Sequence, residues 1–170
     1  AGVGAVYQTG GVMHNTGGAG NDGRIGNSGY GYYHLADGVL TNNGYTQIGW
    51  GFASHGILEQ TGGLLAFGAT YGGTIGISRG GTGVVHVSGG LFRSNATLKI
   101  GDDSENSSTA GFAVMTVSGS AVVTNNGSID LGNRNNMTAL LNLNGGEVNA
   151  KRIWRANRSN TDARVNWNGG

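Results

Sequence analysis

Among the residues able to do chemistry, His34, Glu59 and His86 share a place in the sequence: each stands four before Gly38, Gly63 or Gly90, the second member of a turn doublet. Tyr32 stands two before His34. If the doublets mark equivalent points of a repeat, these residues share an outward column with a phenol beside it. Such a strip can stack on a sugar ring through its aromatic faces and grip hydroxyls through its polar atoms, the chemistry of a carbohydrate-binding or polysaccharide-processing surface. His34 and His86 fall two repeats apart, about 10 Å by strand spacing, too far to share one zinc ion. Tyr7 and Thr116 continue the column, as they do in an ordinary solvent-facing stripe.

Three other clusters invite a chemical reading. Asp102, Asp103 and Glu105 form the acidic run of the chain, and carboxylates at this separation can bind Ca²⁺. Their spacing matches neither an EF-hand nor the nonapeptide of calcium-loaded rolls, and a solvated loop accounts for them equally. Gly17-Gly18-Ala19-Gly20 lacks the Lys-Ser/Thr of a phosphate-binding loop and reads as a corner. Lys151, Arg152, Arg155 and Arg158, interleaved with Trp154 and Trp167, resemble a single-strand nucleic-acid surface. Glu147 and Asp162 flank them, and the whole chain carries a net charge of only +1. No nucleic-acid partner is expected; the region reads as an exposed strand edge or a subunit contact. Carboxylates are scattered rather than paired as glycoside cleavage requires, and no Gly-x-Ser-x-Gly elbow occurs. The expectation is a protein without cofactor or catalytic activity of its own.

The elements that must position these residues are written in a repeat. The doublets end at residues 11, 38, 63, 90, 120, 146 and 170, so that successive copies are separated by 27, 25, 27, 30, 26 and 24 residues. A period in this range marks a repeat architecture. Five places before each doublet's end stand Val6, Tyr33, Leu58, Val85, Met115, Leu141 and Val165. Two places after it stand Met13, Leu40, Leu65, Phe92, Val122 and Val148. Between the first set and the column Gln8, Leu35, Gln60, Val87, Val117, Leu143 and Trp167 lies the polar column of His34 and Glu59. Alternation of this kind gives a strand one inward and one outward face. A second marker, Ile-Gly or Leu-Gly, recurs at Ile25, Ile48, Ile75, Ile100 and Leu131, with Ile153-Trp154 as the departure.

One such coil cannot bury its own apolar residues, whereas stacked copies can. The pattern predicts an all-β, right-handed parallel β-helix of about six coils, three short strands per coil, across residues 1–170 as one domain. Gly11, Gly38, Gly63, Gly90 and Gly146 supply its turns. Gln8 and Gln60, which point inward, require side-chain hydrogen bonds or a place at a coil corner, because an unpaired buried amide costs about 1–3 kcal/mol.

Composition agrees. The 36 glycines and 19 asparagines are residues that tolerate left-handed corners, and the absence of Pro suits a backbone committed to ladders. With no Cys there is no disulfide or thiolate chemistry, and no apolar run is long enough to span a membrane as a helix.

The units Tyr7-Gln8-Thr9-Gly10-Gly11-Val12, Glu59-Gln60-Thr61-Gly62-Gly63-Leu64, Val87-Ser88-Gly89-Gly90-Leu91 and Leu143-Asn144-Gly145-Gly146-Glu147-Val148, each followed by an Ile-Gly strand with Ile153-Trp154 as the departure, resemble the autotransporter-associated β-strand repeats of large bacterial surface proteins. The resemblance implies an exported β-helix at the cell surface or outside the cell, and it brings no catalytic residues. The doublet at Gly169-Gly170, where a strand is due, leads to the expectation of a segment of a longer repeat protein. A structural role follows, as stalk, fibre or adhesin segment, with self-association through uncapped coil ends or strand edges into an oligomer or filament.

Overall fold

The computed structural model describes residues 2–16, 22–68, 75–102 and 110–169. The first coil contains β1 (Val3–Asn15) and β2 (Gly23–Ile25), the second β3 (Tyr30–Asn42) and β4 (Thr46–Ile48). The third runs through β5 (His55–Gln60), β6 (Leu64–Phe67) and β7 (Ile75–Ile77), and the fourth through β8 (Thr82–Val87), β9 (Leu91–Ser94) and β10 (Leu98–Ile100). β11 (Gly111–Val117) and β12 (Val122–Leu131) make the fifth, β13 (Met137–Asn144) and β14 (Glu147–Arg155) the sixth, and β15 (Asp162–Gly169) opens a seventh. Every pairing is parallel and joins successive coils, so the chain is a β-solenoid of about six turns. The described residues contain no helix.

The strands form three stacks, β1, β3, β12 and β14 each bending from one stack into another. The first holds the leading parts of β1 and β3, then β5, β8, β11, β13 and β15. The second holds residues 12–15 and 39–42, then β6, β9 and the leading parts of β12 and β14. The third holds β2, β4, β7, β10 and the trailing parts of β12 and β14. The C-terminal end is therefore a step one strand high, with β15 standing above the top of the other two stacks.

The registers place Val6, Tyr33, Leu58, Val85, Met115, Leu141 and Val165 in one column, as their spacing predicts. In the middle coils this column is dry, Leu58, Val85, Met115 and Leu141 being wholly buried. Burying an aliphatic side chain stabilises by about 1.5–3 kcal/mol. At the ends the column runs out into solvent: Val6 is 45% and Val165 44% exposed, and Met13 at the foot of the second stack is 51% exposed. Among the described residues no further coil lies over them.

Two positions depart from the sequence columns. In the second stack Val123, not Val122, lies on Phe92 and under Val148, and it is fully buried. The turn after β11 has one extra residue: Ser118 follows the ladder, but Ala121 rather than Ser120 occupies the place of Gly90, its carbonyl accepting from Glu147 N. Val122 consequently faces outward. In the third stack Ile77, not Ile75, joins Ile48 and Ile100. Ser78 then takes the left-handed place of Gly26, Gly49 and Gly101 at φ 60°, and its Oγ donates to the Gly81 carbonyl at 2.6 Å. Arg155 continues that column at the top, its guanidinium bonded to the Thr161 carbonyl.

The turn glycines at 11, 38, 63, 90 and 146 all have φ between 64° and 92°. Stacking makes them a packing requirement as well: a methyl group on Gly90 would lie 2.4 Å from the Gly63 carbonyl oxygen of the coil beneath. The inward glutamines belong to these turns. Gln60 Nε2 lies 3.2 Å from the carbonyl oxygens of Gly62 and Gly63 and 3.1 Å from that of Leu91 in the next coil. Gln8 repeats the arrangement on Gly10, Gly11 and Val39 at the same distances. Each glutamine thus closes its own turn and ties it to the coil above.

Candidate functional site

The outward face of the first stack carries the candidate residues. Tyr7, His34, Glu59, His86, Thr116, Asn142 and Asn166 form one column in register. Tyr32 reaches across one level, and its hydroxyl donates to Glu59 Oε2 at 2.5 Å. That bond, with burial and the carboxylate charge adding to it, pushes the Tyr32 phenol up to about 12. His86 Nδ1 lies 4.0 Å from Glu59 Oε1 while its Nε2 meets Ser118 Oγ at 3.1 Å. His34 turns to Thr61 Oγ1, also at 3.1 Å. Tyr32, Glu59 and His86 are linked through Glu59, His34 stands beside them bonded to Thr61, and the four do not converge on one point. No cluster of ligating residues able to hold a metal ion occurs among the described residues.

The rings gather at the N-terminal end of this face. Tyr7 is 5.4 Å from Tyr32 and 6.2 Å from His34 between centroids, and Tyr30 stacks on His55 at 4.5 Å. This gives a ribbon of aromatic faces with one fixed carboxylate beside it, an arrangement that can stack on a sugar and accept from its hydroxyls. The next carboxylate along the columns of this face is Asp162, four coils above Glu59.

A neighbouring column was not singled out by the sequence reading. Ala5, Tyr32, Ile57, Val84, Val114, Leu140 and Arg164 stand in register between the columns of Tyr30 and His34. All point outward, and from Tyr32 to Leu140 all are apolar or aromatic. Ile57 is 40% exposed; Tyr32, Val84, Val114 and Leu140 are half-buried by their neighbours on the face. The face is therefore not uniformly polar. The signal lies in the sequence, since these residues stand six places before each doublet's end, but alternation by itself assigns them only to the outer face.

The remaining clusters resolve separately. Asp102 is buried and paired with Lys99 Nζ at 3.1 Å, while Asp103 and Glu105 lie outside the described residues, as does the 17–20 glycine run. The basic region is dispersed. Arg134 is buried, Arg164 pairs with Asp162 at 2.7 Å, and Arg152 lies 5.1 Å over the Trp154 ring, whose Nε1 donates to Asp130. Two clefts at the N-terminal end, lined by Val6, Ile25, Tyr33 and Met13 among others, are the open foot of the core itself. No helix among the described residues is long and apolar enough to cross a membrane. Comparisons with protein-family models, with curated proteins and with solved structures found no match to this chain.

Proposed function

We propose that the chain is a structural segment of an extracellular or bacterial cell-surface protein, a rigid spacer in a stalk, fibre or adhesin. One observation carries this reading: the core columns run out uncovered at both ends, with Val6, Met13, Val165 and Trp167 exposed over strands that pair on one side only. Unpaired strand edges above an open apolar core are templates for another coil. Coils of the same pattern, in the same chain or a neighbouring one, fit both ends. Placement at the cell surface draws on the likeness of the repeat units to autotransporter-associated repeats.

End-to-end association tests the proposal. Electron microscopy and sedimentation over a concentration series are expected to reveal rods in multiples of about 30 Å, the height of six strand spacings. Val165→Lys combined with Trp167→Lys should shorten them. A strictly monomeric protein whose end-strand amides are protected from exchange is the result against the spacer role.

A second reading, a carbohydrate-binding surface, is favoured by the ring cluster of Tyr7, Tyr32 and His34 beside Glu59. Glycan-array binding that disappears in Tyr7→Ala and Tyr32→Ala is its expected result. Unchanged binding in both variants excludes this site.

A further inference from the structure

The described strands all belong to the three stacks, so none lies over the apolar stripe on the outer face of the first stack. The stripe runs Tyr32, Ile57, Val84, Val114, Leu140 at one residue per coil, and Phe112 beside it is 39% exposed. Outward positions of a sheet are apolar when something packs on them, and scattered exposed apolar residues do not line up over five coils.

We infer that this face packs against the same face of a second copy of the chain, making a lateral pair of solenoids. Three considerations select that occupant. The first is dimension: seven strands at about 4.8 Å and three outward side chains across give a face of roughly 30 by 20 Å. Pairing two such faces buries on the order of 1,200 Å², the lower bound for a specific interface. The second is chemistry. Val84, Val114 and Leu140 offer a sugar neither a ring face nor a hydrogen-bonding atom, but they interdigitate with the aliphatic side chains of a second sheet. The third is charge. With the two axes pointing the same way, each coil meets its counterpart and the flanking columns exchange, which sets Glu59 of one copy against His55 of the other. With the axes opposed, His86 meets His86. The same-direction pair therefore joins Glu59 to His55, and where it brings Arg164 against Arg164 at the end of the stripe each guanidinium is already paired with its own Asp162.

This pairing is independent of end-to-end association, and one set of variants separates the two. Sedimentation equilibrium of the 170-residue chain carrying Val165→Lys and Trp167→Lys, which block end-to-end growth, is expected to give a dimer. Val84→Lys and Leu140→Lys should each weaken it at least tenfold, with circular dichroism and thermal midpoint close to those of the parent. Because the chain has no Cys, Ile57→Cys provides a clean probe of direction: oxidation is expected to cross-link the two copies through this residue alone. A monomer at all concentrations overturns the inference, as does a dimer that survives both stripe variants. So does a monomer retained on a polysaccharide matrix through Val84, which would assign the stripe to a sugar. Failure of Ile57→Cys to cross-link while Ile57→Cys mixed with Val114→Cys does so overturns the same-direction arrangement.

Discussion

Val6 and Val85 are the same residue in the same inward column, three coils apart, yet one is 45% exposed and the other wholly buried. Nothing in their own coils distinguishes them. Gly11 and Gly90 differ likewise: their φ values are 70° and 72°, but a methyl group has open space at the first and meets main chain at the second. In a solenoid, then, a residue's energetic weight depends on the coil beside it. The end and the middle of this molecule are one sequence pattern under two boundary conditions.

Substitutions made in pairs break or sharpen that comparison. The largest contrast is expected at the turns. Gly11→Ala should cost about 1 kcal/mol for the left-handed backbone alone. Gly90→Ala adds collision with Gly63 O at 2.4 Å and Gly62 C at 2.6 Å; with the overpacking, its cost should be about 3 kcal/mol or more. Urea-unfolding midpoints measure both. Equal losses at the two sites would mean that conformation, rather than stacking, selects glycine here.

Next comes the apolar column. Val85→Ala should destabilise by about 2 kcal/mol, from lost burial plus a residual cavity. Val6→Ala should fall within about 0.5 kcal/mol, as surface changes do. If the ends associate as proposed, the gap narrows as protein concentration rises, because a coil added below buries Val6 as well.

The glutamine clamps give a smaller contrast. Gln60→Leu removes the donor held between Gly62, Gly63 and Leu91 in a dry site, and should cost about 1–2 kcal/mol. The loss is limited because Gln60 Oε1 has no partner of its own. Gln8→Leu strands the Tyr33 hydroxyl, which donates to Gln8 Oε1 at 2.5 Å, but at an open end where water can replace it; a cost under about 1 kcal/mol is expected. Amide exchange at Gly62, Gly63 and Leu91, faster in Gln60→Leu, locates the effect.

The pairs also mark what the sequence made legible. Period, stacking and the first-stack columns followed from spacing, because a strand alternates strictly and a buried face tolerates no slip. Spacing was blind wherever a turn changed length. The extra residue between Ser118 and Ala121 moved the buried place from Val122 to Val123. In the third coil the recurrent Ile-Gly pair falls at Ile75-Gly76 while Ile77 holds the buried place, because Ser78 adopts the left-handed turn that glycine usually fills. The glutamines' need for partners was readable, but not that each Nε2 is shared between the carbonyls of its own turn and one on the strand above. At the candidate site, spacing was enough to place His34, Glu59 and His86 in one outward column. The Tyr32–Glu59 bond and the apolar stripe required knowing which outward residues stand side by side.

Tyr32 sits where both boundary conditions meet, on the second coil with the open end one level below. Its hydroxyl donates to Glu59, and the folded protein keeps the phenolic proton until about pH 12, whereas the unfolded chain releases it near the ordinary value of 10. The folded state therefore binds more protons across that window, and stability must fall as pH rises through it. The contribution is complete below pH 10 and lost as the folded phenol ionises near 12. Because the pair is partly solvated, this is the smallest of the expected effects. Because burial also raises the Tyr33 phenol, ultraviolet titration in a Tyr33→Phe background should show one late-ionising phenol that moves back toward 10 in Glu59→Gln, since the carboxylate supplies the largest cause of the shift. A phenol that stays near 12 in that variant would place the cause in burial instead, and the contact that ties the outward column to the apolar stripe would lose its energetic role.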